Sequence, residues 1–191
     1  MGLGRSFPGV GRTFQVAATF ASMTVRENVD VALLSHAGHL QALHMLPSST
    51  RRSPTDALLE RAGVESLADR HVATLPYGDV KRVELALSLA GNPKLLLMDE
   101  PTAGMAAADR GTLMAAAAEL ARRDRVAVLF TEHDMDVVFG HADRVIVLDR
   151  GTLIAEGPPE AIKADARVQA VYLGDPVTPS DARSGAAPPV A

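Results

Sequence analysis

Pro93-Lys94-Leu95-Leu96-Leu97-Met98-Asp99-Glu100-Pro101-Thr102 is the stretch on which the reading turns. A short, wholly apolar run ends in two adjacent carboxylates, and a proline then stops the chain from continuing as a strand. An apolar run this short, opened by Asn92-Pro93, reads as a strand covered on both faces, as in a parallel sheet. Asp99 and Glu100 then emerge at its carboxyl end, where open α/β sheets bind ligands. One carboxylate suits Mg²⁺, a hard ion that prefers oxygen ligands. The other suits a water poised to attack a phosphate. Taken alone, the run is equally compatible with a buried strand that ends in solvated acids.

A second run separates these readings. Val126-Ala127-Val128-Leu129-Phe130-Thr131 is again apolar and ends in Glu132-His133-Asp134. An isolated histidine is more often structural than catalytic. A histidine at the end of a strand that follows the Asp-Glu strand by one helix stands beside those carboxylates and is a much better candidate.

Composition narrows the classes. The chain has 191 residues, 47% hydrophobic and 22% charged, with a net charge of −4. That is ordinary for a globular domain and gives no bulk electrostatic attraction to nucleic acid. There is no cysteine, hence no disulfide framework and no thiolate metal site. No apolar run approaches the ~20 residues needed to span a bilayer. Met1-Gly2-Leu3-Gly4-Arg5 lacks the apolar core of a signal peptide. Service to a membrane process would be as a peripheral subunit.

Leu95 to Thr102 resembles the Walker B segment of an ABC-transporter ATPase, and Thr131-Glu132-His133-Asp134 resembles its switch-histidine loop. Arg12-Thr13-Phe14-Gln15 is similar to the Q-loop, and Leu75-Pro76-Tyr77-Gly78-Asp79 lies where the family signature sits. Ala103-Gly104-Met105 resembles the D-loop, with Ala106 where Asn is usual. The wording is closest to ATP-binding subunits of branched-chain amino-acid, urea or amide importers, and it covers residues 9 to 174. The resemblance implies an α/β fold of P-loop NTPase type, an α-helical subdomain, and a C-terminal hairpin and helix. It implies ATP and Mg²⁺ as ligands. Asp99 and Gln15 would serve the metal, and Glu100 would orient the attacking water and accept its proton. His133 would contact the γ-phosphate and link it to Glu100. Gln15 would sense the metal and γ-phosphate, and Pro76, Tyr77, Gly78 and Asp79 would face nucleotide held by the opposite subunit. Pro76 replaces the usual Ser or Ala, removing a hydroxyl and an N–H donor, and Asp79 stands where Gln or Glu is usual. Expected partners are membrane permease subunits, a second ATP-binding subunit and, indirectly, an extracytoplasmic solute-binding protein, but no nucleic acid. The expected place is the cytoplasmic face of the inner membrane.

One family element is missing from the sequence. The phosphate loop requires G-x-x-x-x-G-K-[ST] after a strand. Gly4-Arg5-Ser6 has no room for it, residues 1 to 13 show no periodicity, and no Gly-Lys pair occurs anywhere. The sheet is therefore expected to be incomplete, with exposed edges that favour aggregation or a partner. A fragment or misassigned start, a decayed gene product and a chain completed by another polypeptide all remain open. The rival function is a non-catalytic protein that docks on a permease or partner ATPase.

The remaining organisation is read in order. Residues 1–23 form a Q-loop region, 24–90 a helical subdomain carrying the signature, 91–174 the Walker B and switch-histidine core, and 175–191 a Pro/Ala/Ser/Gly-rich disordered tail. Thr24-Val25-Arg26-Glu27 is a capping box. Ser53-Pro54 opens a helix that Gly63 closes. His36, His39 and His44 lack any neighbouring acid and read as a surface helix rather than a metal cluster. A helix is expected over 79–90, stopped by Gly91, then an Ala-rich helix over 107–123. A short helix follows from Asp134. Arg144–Leu148 and Thr152–Ala155 form a hairpin across Asp149-Arg150-Gly151, and a last helical stretch runs to about Leu173.

Overall fold

The computed structural model describes residues 9–12, 19–37 and 53–173, and divides into two compact units, 1–137 and 138–191. Gln15, His39, His44 and the expected tail lie outside the described residues.

The first unit is built on three parallel strands in the order β1 (Val10–Arg12), β2 (Leu95–Asp99), β3 (Ala127–Thr131). Val10 pairs with Leu95, and Leu95 through Asp99 pair one-to-one with Ala127 through Thr131. The Asp99–Thr131 pair therefore closes the carboxyl end of the central strand. β1 was not expected, because residues 1 to 13 show no alternation; its three residues are too few to carry a period. Gly11 is needed there: a Cβ would lie 2.6 Å from the Ser88 carbonyl oxygen.

The expectation of a strand covered on both faces holds for only one face. Leu96 and Met98 are buried, whereas Leu95 and Leu97 are half-buried, and on β3 Leu129 is 54% exposed. The buried face packs in one core with Val83 and Leu85 of α3 (Tyr77–Ser88), Leu89 just after it, and Leu113, Ala117 and Leu120 of α4 (Ala107–Asp124).

Local chemistry sets the helix limits. α1 (Val25–His36) starts at the Thr24 capping box: the Glu27 N–H donates to Thr24 Oγ1 at 3.2 Å, and the Thr24 N–H donates to Glu27 Oε2 at 2.8 Å. α2 (Pro54–Arg61) starts at a second box, Ser53 with Asp56, and places Pro54 where no N–H is needed. It ends with Gly63 at φ +65°; the Gly63 and Val64 N–H groups donate back to the Glu60 and Leu59 carbonyls. That double closure brings buried Val64 onto buried Leu59. The expected helix over 79–90 begins two residues earlier and ends at Ser88. Its terminal left-handed residue is Asn92 (φ +47°), not Gly91.

The second unit holds an antiparallel hairpin, β4 (Val145–Asp149) and β5 (Thr152–Gly157). Arg150 and Gly151, at φ +47° and +81°, form its two-residue turn, a geometry that matches the twist of the strands. Val145, Val147 and Ala155 are buried, as are Ile162 of α6 (Pro159–Ala164) and Val168 of α7 (Ala166–Val168). Ile146, Leu148 and Leu153, on the other face, are each 54% exposed.

Candidate functional site

The site forms where β2 and β3 end together. Asp99, the last residue of β2, is exposed, and its Oδ1 accepts a 2.7 Å hydrogen bond from Thr131 Oγ1. Glu100 leaves the strand at φ +43°. A non-glycine residue in this left-handed region costs roughly 1–2 kcal/mol. The cost is borne by two backbone anchors: the Glu100 N–H donates to the Thr131 carbonyl at 3.0 Å and to Thr131 Oγ1 at 3.3 Å, and the Glu100 carbonyl accepts from the Ala103 N–H at 3.1 Å. The simple alternation of side chains along a strand thus stops at Asp99. Glu100 is redirected by its own backbone twist and carries Oε1 to 3.9 Å from Nδ1 of His133. That separation is contact rather than a made hydrogen bond, and catalytic pairs commonly tighten only with substrate in place. The His133 ring is 74% exposed, so its other nitrogen is open to a phosphate oxygen.

Asp99, Glu100 and His133 are therefore brought together. Pro76, Tyr77, Gly78 and Asp79 are not: among the described residues no hydrogen bond or ion pair joins them to that trio. They form the start of α3, with Pro76 as N-cap and no side-chain cap. Within that first turn the Asp79 N–H already donates to the Pro76 carbonyl at 3.1 Å, so of the expected clamp only the Tyr77 and Gly78 N–H groups have no hydrogen-bond partner among the described residues. Asp79 turns back to pair with Arg82. Gly78 is buried against α4, where a Cβ would lie 2.7 Å from Asp109 Cγ. Gln15 lies outside the described residues.

Three supporting contacts escaped sequence reasoning. Glu132 Oε1 accepts from both the Thr102 N–H (2.9 Å) and Thr102 Oγ1 (2.7 Å), tying the turn after β2 to the loop after β3. Thr131 bridges Asp99 and Glu100 as described. Arg110 donates through Nε to the Met105 carbonyl at 3.0 Å and pairs with Asp134. Each joins residues 5 to 32 positions apart, too far for a local pattern to reveal.

The donor set fits Mg²⁺. Among the described residues no group of three or more acidic or histidine side chains converges, so there is no all-protein cage. Mg²⁺ instead favours one or two carboxylates, with phosphate oxygens and water completing the shell. Asp99, exposed and oriented by Thr131, meets that requirement.

The parallel strands β2 and β3 thus end together in paired carboxylates and a histidine. Comparison with known proteins gives the class. Residues 6–103 match the family model described as ABC transporter, and residues 152–178 match that described as branched-chain amino acid ATP-binding cassette transporter. The chain belongs to the ABC-transporter ATP-binding family. It is 38% identical over 175 residues to the high-affinity branched-chain amino acid transport ATP-binding protein LivG of Escherichia coli (strain K12), covering 87% of this chain and 68% of the relative. It is 36% identical to the corresponding BraF of Pseudomonas aeruginosa over the same shares. Among solved structures, the ADP conformation of the ATP-binding cassette MJ1267 aligns with a TM-score of 0.68 at 27% identity, over 87% of this chain and 69% of that one. The cassette cbiO1 of Clostridium perfringens, part of the cbiONQ complex, aligns with a TM-score of 0.69 at 31% identity, over 88% and 65%. The fold is thus that of part of an ABC ATPase cassette. Among the described residues no helix is long and apolar enough to cross a membrane.

Proposed function

We propose that this chain carries the water-activating half of an ATPase site that powers import of branched-chain amino acids or related small solutes. The observation that supports it most is the approach of Glu100 to His133 at the end of the strand pair, beside Asp99. The match of residues 152–178 and the names of the LivG and BraF relatives support the solute class. The working surroundings follow from the same reading. A permease and a second ATP-binding subunit act as partners, an extracytoplasmic solute-binding protein acts indirectly, and the chain sits peripherally on the cytoplasmic face of the membrane.

In this reading Glu100 holds the attacking water and takes its proton. Its backbone twist and its bonds to Thr131 keep the carboxylate fixed while the charge forms. His133 donates to the γ-phosphate and maintains contact with Glu100, which counters charge on both sides of the breaking bond. Asp99, with Gln15, serves Mg²⁺, which when bound neutralises charge on the β- and γ-phosphate oxygens. Gln15 reports on the γ-phosphate to the helical segment. Tyr77-Gly78-Asp79 faces nucleotide held by the second subunit. Hydrolysis by this site requires a phosphate cradle of the G-x-x-x-x-G-K-[ST] kind, a pattern this sequence does not contain.

A second reading, a non-catalytic protein that docks on a permease or partner ATPase, draws on one observation. Pro76 caps α3 with neither a hydroxyl nor an N–H. The test mixes the chain with the phosphate-loop segment of its LivG relative and follows Mg²⁺-ATP hydrolysis. Turnover that requires the segment and disappears in Glu100→Gln supports the first reading. Nucleotide binding absent from every combination favours the second.

A further inference from the structure

We infer that Arg110 is a positioning residue that holds the turn after β2 in register with the switch-histidine loop. The inference rests on the ATPase reading for its purpose, but its structural content stands alone. Arg110 lies in the first turns of α4 and reaches two places at once. Its Nε donates to the Met105 carbonyl at 3.0 Å, and its Nη1 pairs with Asp134 Oδ2. Asp134 is itself occupied on its other oxygen: Oδ1 accepts the N–H groups of Asp136 (3.1 Å) and Val137 (3.3 Å), which start α5 (Met135–His141). The carboxylate is thus a fixed post rather than a free surface acid, and His133 is the residue immediately before it.

The other end of the bridge is a turn under conformational constraint. From Glu100 at φ +43° the chain turns through Gly104 at φ +74° to Met105, whose side chain is buried. The Met105 N–H returns to the Thr102 carbonyl at 3.1 Å, and Thr102 in turn is held by Glu132. Two routes therefore cross from this turn to the loop after β3. Thr102–Glu132 crosses on one side of His133, and Met105–Arg110–Asp134 crosses on the other. A change in the turn reaches the loop by both routes, and the Arg110 route is the one that ends at Asp134, between His133 and α5. A planar guanidinium is suited to the task because it holds two acceptors in a fixed angular relation, which an ammonium on a flexible stem does not.

The test needs no nucleotide. The full chain is labelled at methionine methyl groups, and Met98, Met105 and Met135 report on the core strand, the turn and the switch loop. Gly104→Ala perturbs the turn, because an L side chain rarely adopts its backbone angle. In the native background the signals of both Met105 and Met135 are expected to shift, with Met98 unmoved. In an Arg110→Met background Met105 should still shift and the Met135 shift should shrink, with only the Thr102–Glu132 route left. Arg110→Lys, which keeps the charge facing Asp134 but cannot hold both acceptors, should weaken the Met135 response in the same way. It also carries the test if Met98 shows that Arg110→Met is misfolded. A Met135 shift undiminished in either variant, or no Met135 shift in the native background, overturns the inference. Either result leaves the ATPase reading standing, since that reading fails only on nucleotide binding and hydrolysis.

Discussion

Lys81 and Glu84 offer a measurable test of how α3 is held beneath the site. Their side chains are only 6% and 5% exposed, with Nζ 3.0 Å from Oε2. Lys81 also lies over the Tyr77 ring at 5.4 Å from its centroid, and Met98, Pro101 and Leu113 line the remaining space around the pair. Two desolvated charges in such surroundings are stable together and costly apart. Lys81→Met takes away the ammonium that faces the Glu84 carboxylate, and Glu84→Leu takes away the carboxylate that faces the ammonium; each should cost about 3–5 kcal/mol. Added as independent losses the two would reach about 6–10 kcal/mol, yet the double variant should cost clearly less than that sum, because both changes remove the same contact. Urea unfolding of the native protein, both single variants and the double variant, followed by far-ultraviolet circular dichroism, gives the full cycle. Single losses below about 1 kcal/mol would mean that the pair behaves as a solvated surface contact. A double variant as unstable as the summed singles would mean that the charges support other contacts rather than each other. Either result refutes the reasoning.

Gly78→Ala should destabilise the start of α3, since its Cβ would lie 2.7 Å from Asp109 Cγ. Gly111→Ala, with open space around the new methyl, should instead stabilise α4 by roughly 0.5–1 kcal/mol; thermal melts of the two variants should move in opposite directions. Asp56 is held below its ordinary value of 3.8 first by Arg26 and then by the Ser53 N–H. A depressed carboxylate stabilises the fold at pH above its unfolded value, and that contribution is lost as pH falls through the lower folded value. The stability difference between the native protein and Asp56→Asn should therefore be constant from neutrality down to about pH 4 and shrink below it, as denaturant melts across that range would show.

Much of this organisation is legible in the chain. Leu95–Met98 and Val126–Phe130 announce strands by composition alone, and Thr24/Glu27 and Ser53/Pro54 mark helix starts because capping is a contact between near neighbours. Asp149-Arg150-Gly151 likewise marks its turn locally. What was not legible is non-local. β1 has three residues and exists only because it pairs with β2. The uncovered face around Leu129 depends on what packs there, which a uniformly apolar run does not reveal. Glu100 reads as a strand residue until the Thr131 carbonyl and hydroxyl hold its backbone left-handed. Glu132 and Arg110 read as ordinary charges, because their partners Thr102 and Asp134 lie 30 and 24 positions away.

The division of labour at the end of β2 is the central claim, and one experiment addresses it. Mg²⁺-ATP affinity and single-turnover hydrolysis would be measured for Asp99→Asn, Glu100→Gln and His133→Ala in the complex with the phosphate-loop segment. Glu100→Gln should keep nucleotide affinity while hydrolysis falls by about 10²–10⁴-fold, the scale of a lost general base. His133→Ala should follow Glu100→Gln, its partner across 3.9 Å. Asp99→Asn should instead weaken Mg²⁺-ATP binding itself. Normal turnover in Glu100→Gln together with normal binding in Asp99→Asn would contradict the account.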